Sequence, residues 1–322
     1  MAGWSTIKYG YINYWAKDSN GGRIERETDP INGLQLKTGL RYGLSETFDV
    51  YANIGYISKV PIFDEMINYR GAVNDNPKNE KYSFYEIGAR IFDNGGRFGM
   101  NLNYYFTDRK DRAFTRSVDL QNGLEGIVNI TGVDQRHSGI ELESSFQATD
   151  DFRLDFMASF ADWKFTNDVN AVYIADRSSN EEQQLNLYIK DLKVGNAPQT
   201  QFSYAATWSP ILNLRMTLRG FTYAKHYSDF DVFSRTSSSD RTQSWEIPSA
   251  TFFNLHLNYT LSNIFNGTQV FFNMLNVTDE VYIQDATDNS RYNGFDGDHD
   301  ADDAEVYFGL PRRYNFGVRV NF

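Results

Sequence analysis

The chain has 322 residues, 41% hydrophobic and 16% aromatic, with 31 basic against 42 acidic side chains and a formal charge of -11. It has no cysteine, which excludes disulfide frameworks and thiol-based metal or nucleophile sites, and no basic stripe to neutralise phosphates, which argues against a nucleic-acid partner. The mean hydropathy of -0.54 and the lack of any run of about 18 apolar residues exclude a membrane-spanning helix. They do not exclude a spanning barrel, whose strands are apolar on one face only and look polar on average.

In chain order, the amino terminus MAGWSTIKYG lacks a basic region followed by an apolar core, so no signal peptide is expected within it. Period-two alternation then predicts twelve strands, near 5–16, 34–43, 48–58, 82–92, 98–106, 128–147, 152–163, 199–208, 212–223, 249–261, 268–276 and 307–322. Most approach the roughly 9–11 residues that a tilted strand needs to cross hydrocarbon. In the first, Asn13 interrupts an apolar face of Tyr9, Tyr11 and Trp15. The second sets Leu34, Leu36, Thr38, Leu40 and Tyr42 against Gln35, Lys37, Gly39 and Arg41. The fifth sets Phe98, Met100, Leu102, Tyr104 and Phe106 against Gly99, Asn101, Asn103 and Tyr105, and the ninth sets Leu212, Leu214, Met216 and Leu218 against Asn213, Arg215, Thr217 and Arg219. The last separates Tyr314, Phe316, Val318, Val320 and Phe322 from Asn315, Gly317, Arg319 and Asn321, and a terminal Phe closing such a strand is an outer-membrane signature. A half-buried strand of a soluble sandwich alternates in the same way.

The connections separate these two architectures. Short ones fall at GLSET, DNGGR, ATDD, SPIL and SNIFNGT, and long ones near 17–33, 59–81, 107–127, 164–198, 224–248 and 277–306, in unbroken alternation. A sandwich has no reason to gather its long loops at one end, whereas an outer-membrane barrel has short periplasmic turns and long extracellular loops. The expected fold is all-β, an antiparallel transmembrane β-barrel of about 12 strands forming one domain over residues 1–322.

Five passages resemble one family, the TonB-dependent outer-membrane receptors. FFNMLNVTDEVY (Phe271 to Tyr282) is similar to that family's penultimate strand, with Asn276 and Asp279 at the strand-to-loop junction. GLPRRYNFGVRVNF (Gly309 to Phe322) resembles its final strand, with Gly309, Pro311 and Arg312 matching Gly-x-Pro-Arg. YANIGYISKVPIFDEM, YEIGARIF and NITGVDQRHSGIELE resemble its strand-loop-strand passages. The resemblance implies the carboxy-terminal half of a roughly 22-stranded barrel. On it, the plug domain is absent from residues 1–322. Alternatively the first strand pairs with the twelfth and closes a smaller barrel. The implied setting is the outer membrane of a Gram-negative bacterium. The implied partners are its lipid, the barrel-assembly machinery, the TonB complex through the missing plug only, and a small ligand such as a ferric siderophore, a glycan or cobalamin. Asn315, Gly317, Val320 and Phe322 are the implied assembly signal.

Chemistry along the chain is sparse. His137, His226, His256 and His299 lie far apart, and the His137-Ser138 pair that suggests a hydrolase would face opposite sides of a strand, so no catalytic residue is expected. In DGDHDADDAE, Asp296, Asp298, Asp300 and Asp302 recur at alternate positions. Such carboxylates suit calcium, although Ala301 and Tyr307 stand where an EF-hand has Gly and Glu, and a solvated acidic loop has the same composition. No other cofactor is expected. If the apolar faces meet lipid, then Lys37, Arg41, Glu86, Arg90, Glu141, Glu143, Arg215, Arg219 and Arg319 face the lumen. A receptor barrel, an autonomous twelve-stranded barrel (autotransporter translocator or outer-membrane hydrolase) and a soluble adhesin all remain compatible with this pattern.

Overall fold

The computed structural model describes residues 1–17, 21–67, 73–74, 77–119, 125–174, 182–262, 264, 267–288 and 298–320. Twelve strands run through the main sheet: β1 (Ala2–Ile7), β2 (Ile31–Ser45), β3 (Phe48–Lys59), β4 (Glu80–Phe92), β5 (Phe98–Asp119), β6 (Glu125–Gln147), β7 (Phe152–Phe165), β8 (Thr200–Trp208), β9 (Leu214–Ala224), β10 (Ala250–Leu261), β11 (Thr268–Leu275) and β12 (Arg313–Arg319). Each is hydrogen-bonded antiparallel to the next in chain order. Val169–Ile174, paired to β6, and Glu182–Leu187, paired to Val169–Ile174, bring the sheet to 14 strands.

Directly opposed residues of an antiparallel pair share a face, so the register assigns every side chain to one side. One row reads Leu40, Ala52, Ile87, Tyr104, Ile140 and Phe160. The next, on the other face, reads Arg41, Tyr51, Gly88, Asn103, Glu141, Ser159, Gln201 and Tyr223. On the apolar face Leu40, Ile87 and Phe316 remain 74%, 62% and 70% exposed. A water-soluble sheet would cover such a band; a barrel wall turns it to lipid. On the polar face, Gly88 lies under the Tyr51 ring, where a Cβ would come within 2.3 Å of the Tyr51 Cζ. This close approach lets the tyrosine lie flat and carry its hydroxyl to Asn101, 3.1 Å away.

The twelve predicted strands all occur, with three differences in extent. Residues 5–16 divide: β1 stays in the sheet, and Gly10–Lys17 pairs with Arg23–Glu27 in a separate hairpin. The break falls at Tyr9, whose amide donates to the Thr28 Oγ1 and whose hydroxyl donates to the Pro61 carbonyl. Asn13 therefore interrupts no face of the main sheet; its Nδ2 donates to the Tyr11 hydroxyl at 2.9 Å. The predicted loop 107–127 is largely strand, paired as far as Asp119 and Glu125 across irregularities at Arg109, Arg112 and Phe114. Its charged composition reads as loop, but a backbone ladder beyond the hydrocarbon needs no apolar side chains. Residues 307–322 also divide, because Glu305–Phe308 pairs with Ile283–Asp288 in a smaller sheet that includes Asp229–Phe230.

The long connections are built structure. Ile130, Val133, Ala171, Leu187, Ile189 and Leu192 are at most 1% exposed, and Phe165 meets Phe230 edge-on at 5.7 Å. The hydrophobic core of this chain therefore sits beyond one end of the sheet, over the ends of β6 and β7. Among the described residues no ladder joins β1 to β12: β1 pairs only with β2, and β12 only with β11. Among the described residues the sheet is thus open along β1 and β12, without the pairing that a closed twelve-stranded barrel would need.

Candidate functional site

The register places Lys37, Arg41, Glu86, Arg90, Glu141, Glu143, Arg215, Arg219 and Arg319 on one face of the sheet. They fall into several groups. Asp49, with a side chain 3% exposed, accepts from the Arg41 Nη2 at 2.6 Å and the Arg90 Nε at 2.9 Å. Glu86 accepts from the Asn53 Nδ2 at 3.0 Å, and Glu141 from the Asn103 Nδ2 at 3.2 Å. Lys37 lies 5.5 Å from the centre of the Phe84 ring. Arg41, Arg90, Glu143, Arg153, Asp155 and Arg219 line a cavity of about 590 Å³ near the short-turn end. Arg215 stands opposite Asn258, and Arg319 opposite Gln269. Sequence alone missed Asp49, although its place opposite Arg90 follows once β3 and β4 are paired.

Two of the passages that carry the family resemblance, Phe271 to Tyr282 and Gly309 to Phe322, meet at the β11–β12 junction, where their residues act as scaffolding. Asn276 has a φ of 51° and is 4% exposed. Its Oδ1 accepts from the Glu280 amide at 2.9 Å, and its Nδ2 donates to the Glu280 and Leu310 carbonyls. The Asp279 Oδ1 accepts from the Arg312 amide at 2.8 Å. Together they tie the two ends of a long excursion, which sets the entry of β12. Within β12, Asn315 opposes Asn273, and Gly317 opposes Phe271, whose ring it seats. Val320 lies just past the strand, and Phe322 lies outside the described residues.

A buried ionic network joins connections 225–249 and 276–312. The Arg235 and Asp288 side chains are fully buried and 2.9 Å apart. The His299 Nδ1 lies 2.6 Å from the Asp288 Oδ2, and its Nε2 lies 2.8 Å from the Asp240 Oδ2. The Arg235 Nη1 also donates to the Thr242 carbonyl at 2.8 Å. Burial pushes the Asp288 carboxyl above its ordinary range and the Arg235 guanidinium below its own. Burial would raise Asp240 too, but hydrogen bonds from His299 and the Thr242 amide hold it low. No local motif announces these residues, since Arg235 and His299 are 64 positions apart.

The carboxylates of Asp298, Asp300, Asp302 and Asp303 lie within 4.8 Å of one another. Asp303 thus joins the predicted acidic set, while Asp296 lies outside the described residues. The Asp300 Oδ1 also accepts from the Asp302 amide at 3.0 Å. His137 and Ser138 are not brought together. The His137 ring packs 5.4 Å from that of Trp163, and Ser138 opposes Phe106 on the apolar face.

An antiparallel meander in chain order, apolar on one face and charged on the other, with its long connections at one end, is the wall of an outer-membrane-type barrel. The profile of the TonB-dependent receptor-like β-barrel matches residues 6–277, and the chain belongs to that family. Its fold is shared with the siderophore receptor PiuA from Acinetobacter baumannii (13% identity, TM-score 0.62, 98% of this chain and 39% of that one). It is shared too with the copper transporter OprC (16%, 0.64, 98% and 46%) and the ferric-catecholate import receptor Fiu from K12 E. coli (13%, 0.59, 98% and 41%). The chain therefore spans less than half the length of each. No curated protein sequence matches it.

Proposed function

We propose that residues 1–322 form part of the wall of a receptor that imports a scarce ligand of the ferric-siderophore class across the outer membrane under TonB control. The observation that carries this is the division of one continuous sheet into a lipid-type face and a face bearing all nine ionisable residues named above. The ionisable face then lines the lumen, where it keeps the interior polar and meets a plug. Backbone groups left unpaired in lipid cost several kcal/mol each, so the free edges of β1 and β12 call for further strands of the same receptor. The cargo class is supported by the names of the structures that share the fold, a siderophore receptor and a ferric-catecholate receptor among them. The test is accumulation of a radiolabelled iron–catecholate complex by a receptor-deficient strain carrying the full-length protein. TonB-dependent accumulation is expected; accumulation unaffected by loss of TonB would overturn the assignment.

The orientation follows. Ser238, in a long connection, faces the outside, and Asn94, in the turn between β4 and β5, faces the periplasm. A cysteine at Ser238 should react with an impermeant thiol reagent on intact cells, and one at Asn94 should not. Equal labelling of the two would reverse or abolish the topology.

We also propose that Asp298, Asp300, Asp302 and Asp303 hold calcium weakly, with a dissociation constant of about 10⁻⁴–10⁻³ M, because charge is ample but the loop lacks an EF-hand's glycine and bidentate glutamate. Calorimetric titrations of the full-length protein and of its Asp298→Ala, Asp300→Ala variant should differ. Superimposable curves would leave the loop as solvated surface.

A further inference from the structure

On the ionisable face, where β8, β9 and β10 reach the long connections, lies a cavity of about 460 Å³. Its walls include the rings of Tyr223, Phe252 and Tyr282, with His226 and the amides of Asn196, Gln201 and Gln284. Phe252 and Tyr282 are stacked at 4.9 Å with an 11° tilt, and Tyr223 meets Phe252 edge-on at 5.8 Å. Gly309 supports the other side of Tyr282, since a Cβ there would come within 2.1 Å of its Cζ. These rings are held in place by the fold, so a ligand does not have to order them.

Three features define what fits. Among the described residues no Asp, Glu, Lys or Arg lines the cavity, so a charged group entering it would lose its hydration without a counter-charge. Of its three side-chain amides, those of Gln201 and Asn196 are partly committed, the Gln201 Nε2 donating to the Pro198 carbonyl at 2.8 Å and the Asn196 Nδ2 to Asp229 at 3.3 Å, which leaves Gln284. A sugar, with several hydroxyls to satisfy, would leave some unpaired. Meanwhile His226 is 7% exposed, and among the described residues its Nε2 has no hydrogen-bond partner. Burial holds its pKa down, against the nearby Asp285, which leaves the neutral ring with one acceptor nitrogen.

We propose that this cavity binds an uncharged aromatic ring bearing a hydroxyl, which packs against the Phe252–Tyr282 pair and donates its hydrogen bond to His226. The site rests on the receptor assignment only for its being open to incoming ligand.

The test uses the full-length protein in detergent and 4-hydroxybenzamide, a neutral phenol, with methyl glucoside and benzenesulfonate as sugar and anion controls. A probe of about ten heavy atoms should bind with roughly millimolar affinity, followed by saturation-transfer NMR and calorimetry. Ala197→Trp, which fills the cavity while leaving its walls in place, should weaken binding at least tenfold. His226→Phe should weaken it about three- to tenfold, the worth of one hydrogen bond. Retained heat-modifiable mobility on gels shows that each variant is folded. Binding that is undetectable in the unsubstituted protein, undiminished in folded Ala197→Trp, or weaker than that of either control overturns the proposal. TonB-dependent iron uptake without phenol binding would count against this site alone, and phenol binding without such uptake would count against the receptor assignment alone.

Discussion

Arg235→Ala is expected to destabilise the packed outer connections by about 3–5 kcal/mol, because it strands a buried carboxylate. Asp288 has a fully buried side chain, and among the described residues its Oδ1 has no hydrogen-bond partner, so loss of the guanidinium leaves His299 as the one remaining side chain placed to offset its charge. The effect should be local. Native-state hydrogen exchange over residues 225–249 and 283–288 should accelerate strongly, while β2 to β5 keep their protection, because separate ladders hold those strands. Adding Asp288→Asn should recover part of the loss by removing the stranded charge. Exchange in Arg235→Ala equal to that of the parent would mean that His299 alone compensates Asp288.

The second large effect concerns the faces of the sheet. Ile87→Lys should lower the stability of the protein in lipid vesicles by about 2–4 kcal/mol, the cost of an ammonium group near the bilayer midplane. Ile87 is 62% exposed in a row with Ala52 and Tyr104, and neither directly opposed residue carries a charge. The contrasting variant is Ser159→Lys, at a similar height on the ionisable face and directly opposite Glu141. It should change stability by no more than about 0.5 kcal/mol. Urea titration of both in vesicles decides the matter. A tolerated Ile87→Lys beside a costly Ser159→Lys would exchange lipid face and lumen.

Most of the sheet was legible because a strand in lipid obeys a local rule. Leu34 to Tyr42 and Phe98 to Phe106 alternate because each side chain faces either hydrocarbon or water, and that choice is written residue by residue. The rule ends where the lipid ends. Residues 107–119 carry Asp, Arg and Lys in a run that resembles a loop, yet they continue β5, because outside the hydrocarbon the hydrogen-bond ladder alone sustains a strand. The Asn276 and Asp279 motif was visible, but its work of tying Glu280, Leu310 and Arg312 together became clear only with the chain folded.

By itself, then, the sequence determined the twelve strands of the meander, the division of faces and the alternation of short and long connections except between β5 and β6, which pair as far as Asp119 and Glu125, all consequences of period-two patterning and of turn chemistry read over a few residues. Tertiary structure alone decided what the long connections become: the core around Ile130, Leu187 and Phe230, the Arg235–Asp288–His299 network, and the aromatic cavity beside His226. Their partners come from separate excursions of the chain, and contacts between residues 53 and 64 positions apart leave no periodic trace. The same holds for the open edges of β1 and β12. A strand's own pattern states which face meets lipid, whereas its pairing depends on which backbone lies beside it.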